Sequence, residues 1–139
     1  MKRTLHHAAT LVLCSASLLT IGCETQRVPV GPQALGGDWS LGLLGVNLEP
    51  SVTVLAVVAA AENALTRAGY SIGQRTATAR DGRVVGTSPS GTGSGSASVY
   101  VVRTAESTRI EVAHLPGGNL GASRDLMDAV LGQLQTAPN

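Results

Sequence analysis

The sequence predicts an α+β domain with one mainly antiparallel sheet of about five strands and two helices packed on one face. Two segments of the 139-residue chain carry helical periodicity, and several shorter segments are rich in β-branched residues between glycine- or proline-containing turns. The predicted order is β-α-β-β-β-β-α, and both helices are buried most economically on the same face of the sheet. Only 2% of the residues are aromatic against 43% hydrophobic ones, so the core must consist of Val, Leu, Ile and Ala.

The first predicted strand runs from Trp39 to Leu48, although its glycines weaken it, and Pro50 ends it. Trp39 is a large apolar side chain near the start of the domain. It is interpreted as a core anchor for this strand. The alternative is an interfacial anchor on a bilayer, where Trp is favoured.

A helix is predicted from Val52 to Ala68, with Ser51 as its N-cap. Gly69 stands at the C′ position, so Tyr70 can fold back onto the last turn as in a Schellman ending. The predicted apolar stripe recurs at steps of four and three: Val54, Val58, Ala61, Leu65 and Ala68.

A hairpin follows the helix. A strand is predicted from Tyr70 towards Ala79, and Asp81-Gly82 is a strong signal for the turn into an antiparallel strand over 83–88. Residues 89–97 read PSGTGSGSA, a composition that cannot bury a core and predicts a mobile loop.

Two further strands and a helix complete the domain. Residues 98–103 are the most strand-like stretch, and 108–115 alternate between apolar and charged residues. Asn119 can cap the last helix. Its predicted apolar face consists of Leu126, Met127, Val130, Leu131 and Leu134.

Tyr100 and Val102 are the candidate partner surface. If the valines that alternate with them face the helices, these two side chains point to the uncovered face of the sheet. An apolar patch there would mark a partner or dimer surface. The alternative is a patch partly shielded by Arg103 and Arg109.

Residues 1–22 have the order of a secretory signal peptide: a basic start, an uncharged and mostly apolar run over 8–21, and the small residue Gly22. The apolar run is shorter than the roughly 20 residues of a spanning helix. The segment Leu18-Leu19-Thr20-Ile21-Gly22-Cys23 resembles the lipobox of bacterial lipoproteins, with Thr20 where Leu is usual.

This resemblance implies cleavage before Cys23 and diacylglycerol on its thiol, with a further acyl chain on the new amino group in many bacteria. The chain would then bind a membrane through lipid on Cys23. Glu24 is not the Asp that resembles an inner-membrane retention signal, which favours an outer-membrane, periplasm-facing location. The alternative is ordinary signal cleavage that leaves Cys23 as a free thiol.

Residues 23–37 are predicted to be the lipidated cysteine and a flexible tether, because Pro29, Pro32 and three glycines interrupt any regular pattern. Fully extended, the 14 residues of 24–37 would reach about 45 Å and let the domain stand clear of the bilayer. The folded domain is then predicted over 38–136.

The arrangement of elements carries a second resemblance. The helix that ends in Ala64-Leu65 and Gly69-Tyr70, the Asp81-Gly82-Arg83 hairpin and the 108–112 strand are similar to a family of small bacterial lipoproteins of unknown function. The similarity covers about residues 45–136. The family usually makes a tight turn where this chain has its Gly/Ser loop. The resemblance implies a fold and a location in the cell, and no functional residue can be carried over.

The sequence carries no predicted catalytic, metal or cofactor site. Once residues 1–22 are removed, Cys23 is the sole cysteine and His114 the sole histidine, so a zinc site lacks ligands. His114 is expected to be an exposed surface residue, and no Gly-x-Ser-x-Gly elbow frames a serine for it. Asp81 and Glu111 are expected to be a turn residue and the partner of a cross-strand arginine.

Charge also bears on the partner. After position 22 the chain has eight arginines against nine acidic residues, which argues against nucleic acid. Together with the location that the lipobox resemblance implies, the lack of a predicted catalytic site favours a non-enzymatic binding or structural module of the cell envelope, whose partner could be another envelope protein. The alternatives are an envelope hydrolase and a small-ligand carrier.

Overall fold

The computed structural model describes residues 25–88 and 95–136, which form one antiparallel sheet and two helices. The α+β class is confirmed, but the described sheet has seven strands where about five were predicted. The strand order across the sheet is β1-β2-β3-β7-β6-β5-β4. The elements are β1 (Gln26–Val30), β2 (Leu35–Ser40), β3 (Leu43–Leu48), α1 (Val54–Arg67), β4 (Ser71–Ala77), β5 (Asp81–Thr87), β6 (Ser96–Arg103), β7 (Thr108–Leu115) and α2 (Leu120–Thr136).

The segment predicted to be a flexible tether contains strands β1 and β2, so that prediction is wrong from Gln26 onwards. The two strands pair antiparallel around the turn at 31–34, and Val28 and Val30 are buried in the core. Pro29 is compatible with β1 because β1 is an edge strand, where a missing backbone donor is tolerated. The folded domain therefore begins near Gln26 and not at Asp38.

The single strand predicted over 39–48 is a hairpin, which is the second correction. Leu41 and Gly42 form its two-residue turn, and both have positive φ angles, 51° and 80°. Positive φ at both central residues is typical of the type I′ turn that suits a twisted hairpin. Trp39 is half-buried on β2 and packs against the edge of the core, in line with its interpretation as a core anchor.

Helix α1 begins two residues later than predicted and ends as predicted. The N-cap is Thr53, not Ser51, because Thr53 Oγ1 accepts a hydrogen bond of 3.2 Å from the Ala56 amide. Gly69 has φ +86°, and the Tyr70 amide donates to the Leu65 carbonyl at 3.0 Å, which is the Schellman ending. The buried face is wider than the predicted stripe but excludes Ala68; it comprises Val54, Val57, Val58, Ala60, Ala61, Ala64 and Leu65.

The hairpin of β4 and β5 is present, but its turn lies at 78–80 and not at Asp81-Gly82. Thr78 Oγ1 closes this turn by accepting from the Asp81 amide at 3.0 Å. Gly82 lies within β5, under α1, where a Cβ atom would come 2.5 Å from Cγ2 of Val58. Close packing of the helix, rather than turn geometry, accounts for this glycine.

Strands β6 and β7 and helix α2 follow the predictions closely. β6 begins at Ser96, so the predicted 89–97 loop ends earlier; residues 89–94 lie outside the described residues. Asn119 Oδ1 accepts from the Ala122 amide at 3.0 Å and caps α2. Along α2 the predicted apolar face is buried, with Leu134 partly buried.

Both helices lie on one face of the sheet, as predicted. α1 packs on β4, β5 and β6, while α2 packs on β1, β3 and β7, and the two helices contact each other. The inward residues of the central strands, such as Val99 and Ile110, are fully buried beneath them. Within the described residues, neither helix is long and apolar enough to cross a membrane. The opposite face of the sheet is left without a covering layer by the described residues.

Candidate functional site

The uncovered face of the sheet contains the predicted partner residues. Val99 and Val101 are buried towards the helices, so Tyr100 and Val102 point to the other side, as the alternation predicted. Val102 is 53% exposed, and Tyr100 is half-buried. Val102 lies between Asp81 on β5 and Arg109 on β7. Other residues on this face include Arg27, Asp38, Gly45, Asn47, Arg83, Val85, Glu111 and Ala113.

The register of three strands places Tyr100 between Glu111 on β7 and Arg83 on β5. The Arg83 guanidinium carbon lies 4.9 Å from the centre of the Tyr100 ring, a cation–π contact. Arg83 Nε is buried and has no hydrogen-bond partner within the described residues. Among the described residues, the Tyr100 ring therefore provides the contact that holds the Arg83 guanidinium on this face.

Arg109 is held differently, by three acceptors on the same face. Its Nε donates to Glu111 Oε1 at 2.8 Å, and its Nη1 lies 3.6 Å from Asp38 Oδ2 and 3.4 Å from Asn47 Oδ1. Gly45 lies beneath the guanidinium, and a Cβ there would be 2.8 Å from Cζ of Arg109. The missing side chain of Gly45 lets Arg109 lie flat across the sheet.

The charged row extends to the edge strand. Asp38 also lies 3.8 Å from Nε of Arg27, so two carboxylates and two arginines alternate across β1, β2 and β7. All four side chains are at least one third exposed, and such pairs contribute about 0–1 kcal/mol each. The row therefore orients charges on the face more than it stabilises the fold.

The sequence-based interpretations of the charged residues on this face hold only in part. Glu111 pairs with Arg109 on its own strand, not with a cross-strand arginine. The alternative of a patch shielded by Arg103 and Arg109 holds for Arg109, which pairs with Val102 across β6 and β7. It does not hold for Arg103, whose Nη2 donates to the Pro50 carbonyl at 2.9 Å. Asp81 accepts from the Thr78 hydroxyl at 2.8 Å, so Asp81 and Glu111 each have a different partner among the described residues. Arg83 was missed because only the register shows that it faces a tyrosine.

His114 was expected to be exposed, and this is also wrong. It is half-buried between the sheet and α2, where His114 Nδ1 and Ser123 Oγ share a hydrogen bond of 3.0 Å. The Tyr70 ring meets it edge-on, with the ring centres 6.3 Å apart. Burial lowers the pKa of His114 because the charged imidazolium loses hydration. Ser123 has 0% exposure, so its hydroxyl holds the histidine and is closed to a substrate.

Two further features bear on binding. Among the described residues, no three or more His, Cys, Asp or Glu side chains converge as metal ligands would. A cleft of about 390 Å³ lies between the β1–β2 turn, the end of β3 and the last turns of α2. Its apolar floor is formed by Leu35, Leu48, Val52, Leu131 and Leu134.

The lipidation site and the signal peptide are not part of this geometry, because Cys23 and residues 1–22 lie outside the described residues. No family model and no curated protein matches the chain. The resemblance to bacterial lipoproteins thus rests on the sequence alone and stays a prediction.

Proposed function

We propose that the chain is a lipid-anchored, periplasm-facing module of the bacterial cell envelope that binds an envelope protein on the uncovered face of its sheet. The observation that carries this proposal is that an exposed Val102 and the Tyr100–Arg83 stack lie together on that face. Anchoring through Cys23 follows from the lipobox resemblance, and binding follows from the face.

The composition of the face fits a protein partner. The outer side of an antiparallel sheet is usually polar, and an exposed apolar residue beside a tyrosine and arginines is typical of binding surfaces. Tyr and Arg are also the residue types most often found at the energetic centre of an interface. A partner segment with an apolar side chain over Val102 and a carboxylate towards Arg83 would complement this face.

The network around Arg109 supports the same interpretation. Arg109 is already paired with Glu111 and Asp38, so its charge is compensated within the domain. Arg83 has no ion pair among the described residues, and a carboxylate brought by a partner would supply one. On one side of Tyr100 the charges are therefore compensated within the domain, and on the other side Arg83 is open to a charged partner.

The test is site-specific photocrosslinking of the full-length chain in its native envelope. A photoreactive amino acid is placed at Val102 and, as the control, at Leu55, which is 60% exposed on the helical side of the domain. We expect a defined crosslinked product from position 102 and none from position 55. Arg83→Glu should abolish the product, since it would repel the partner's carboxylate. Equal products at both positions, or a product that survives Arg83→Glu, would contradict the proposal.

The anchor is tested separately. Cys23→Ser should move the protein from the membrane fraction to the soluble fraction, because diacylglycerol could no longer be attached. Unchanged retention in the membrane would refute lipid anchoring and leave the binding face to be judged by crosslinking.

A small-ligand carrier is the second candidate, and the cleft beside α2 is the observation that favours it. Its volume of about 390 Å³ lies within the range of small-molecule sites, about 300–1,000 Å³, and its floor is apolar. A fluorescent apolar probe that gains intensity with the unaltered chain and not with Leu134→Glu would support this function. Equal intensity for both would exclude the cleft as the binding site.

A further inference from the structure

We infer that one end of the sheet lies directly on the bilayer and contacts lipid through Leu41 and Leu115. This inference rests on the proposed lipidation of Cys23 and adds the orientation of the domain and a second membrane contact. The proximal end is defined as residues 25–26, 40–43, 69–71, 87–88, 95–96 and 114–119. The distal end is defined as residues 31–34, 49–53, 78–81 and 103–107.

The length of chain between Cys23 and the fold sets the distance to the membrane. β1 begins at Gln26, three residues after Cys23. Three extended residues span at most about 10 Å, so a lipid on Cys23 would hold Gln26 within that distance of the bilayer surface. The 45 Å tether expected from the sequence is not available, because strands β1 and β2 occupy it.

The strand register shows which surface this short connection brings to the membrane. Gln26 pairs with Trp39, just before the Leu41-Gly42 turn. On the neighbouring strands, Ser96 pairs with Leu115 at the same end of the sheet. The turn at Gly42 also touches the turn after β7, since a Cβ at Gly118 would lie 2.7 Å from the Gly42 Cα. These residues form one continuous tip next to the start of β1.

Charge separates the two ends. The proximal end contains no Asp, Glu, Lys or Arg, whereas the distal end has five such residues: Glu49, Arg80, Asp81, Arg103 and Glu106. Moving a charged group out of water into an apolar layer is costly. Of the two ends as defined, the proximal one can therefore enter the headgroup and upper acyl region without burying a charge.

The two exposed leucines at this end are unexplained by the fold itself. Leu41 is 86% exposed and has a φ angle of +51°, a conformation that disfavours leucine and favours Asn or Gly. Leu115 is 55% exposed on the adjacent strand end. Apolar side chains that gain nothing within the domain would gain by entering the bilayer, as the apolar residues of interfacial segments do.

The test measures the depth of single labels in the full-length chain, reconstituted into phosphatidylethanolamine–phosphatidylglycerol vesicles that contain spin-labelled lipid. A fluorophore is attached at Leu41→Cys or, as the distal control, at Ala105→Cys. Cleavage before Cys23 removes Cys14 with residues 1–22, and a lipidated Cys23 is a thioether that does not react with the label, so each processed variant carries one fluorophore. We expect several-fold stronger quenching at position 41 than at position 105, and a mass for the chain that includes the acyl groups.

Each other outcome is distinct. Equal or absent quenching at both positions on an acylated chain would overturn the proximal contact and leave the anchor intact. Self-quenching between the labels of two copies at position 41, without quenching by the spin-labelled lipid, would assign the tip to a protein contact and also overturn it. A chain without acyl groups would overturn the anchor and this inference together.

Discussion

Replacing Gly82 by alanine tests how closely helix α1 lies on the sheet. A Cβ atom at Gly82 would come 2.5 Å from Cγ2 of Val58 and 2.9 Å from Cγ1 of Val54, two fully buried side chains. Valine has one strongly preferred rotamer in a helix, so neither side chain can turn away easily and α1 must move off the sheet. Overpacking of this kind costs about 1–3 kcal/mol, and we expect Gly82→Ala to lower the unfolding free energy by about 2 kcal/mol.

Gly45→Ala is the matched control. Its Cβ would also overlap a neighbour, but the neighbour is the Arg109 guanidinium, the free end of a flexible side chain on the uncovered face. Arg109 can rotate outward and lose ion pairs that are about one third exposed, which contribute about 0–1 kcal/mol each. Gly45→Ala should therefore cost less than Gly82→Ala, although both glycines lie in strands of the same sheet.

Urea unfolding of residues 23–139 with Cys23→Ser, followed by circular dichroism, measures both effects. With a urea dependence of about 2 kcal/mol per molar, Gly82→Ala should lower the midpoint by about 1 M. Val58→Ala should cost less in the Gly82→Ala background than alone, because removing the valine methyls makes room for the new Cβ. Equal losses at Gly45 and Gly82, or additive effects of Gly82→Ala and Val58→Ala, would refute the close packing of α1.

Three further outcomes follow from local contacts. The lowered pKa keeps His114 neutral in the folded state, while the unfolded chain binds a proton near the ordinary pKa of 6.5. The unfolding free energy should therefore fall as the pH drops below 6.5. Urea titrations of His114→Gln should show a flatter pH dependence. At a fully buried position, Thr108 Oγ1 donates to the Val52 carbonyl at 2.7 Å. Thr108→Val should lower the unfolding free energy by about 1–3 kcal/mol, and Thr108→Ser should lower it less. Equal losses of stability for the two variants would show that the hydroxyl is unimportant. Leu41→Asn should raise the unfolding free energy by up to about 1 kcal/mol because Asn suits a positive φ, and a loss would contradict strain in this turn.

The elements with strong periodicity could be predicted from the sequence. The Schellman ending at Gly69, the alternation around Tyr100 and the Asn119 cap each depend on residues close together in the chain, and the structure confirms them. Local patterns also placed both helices on one face, because each helix has one apolar side that must be buried.

The N-terminal hairpin could not be predicted in the same way. Pro29 and the surrounding glycines have the composition of a linker, and only pairing with β3 turns the segment into an edge hairpin. The Leu41-Gly42 turn was missed because leucine is an unusual residue at a positive φ. The contacts of Arg83 and His114 depend on register and helix packing, which are tertiary properties. Alternation along β6 correctly predicted that Tyr100 and Val102 lie on the uncovered face, and Arg109 was expected beside them, but Arg83 and Asp38 were not.

The proposed membrane contact determines how the proposed partner face is oriented relative to the bilayer. The strands run from the proximal to the distal end, and Val102 is six residues along β6 from Ser96. At about 3.3 Å per residue, Val102 lies about 20 Å from the proximal end, beyond the reach of the bilayer if the sheet stands on that end. The uncovered face would then look sideways into the periplasm and meet a neighbouring protein. A label at Val102→Cys should therefore escape quenching by spin-labelled lipid while one at Leu41→Cys is quenched. Equal quenching at both would show that the sheet lies flat on the membrane and that its uncovered face binds lipid instead of protein.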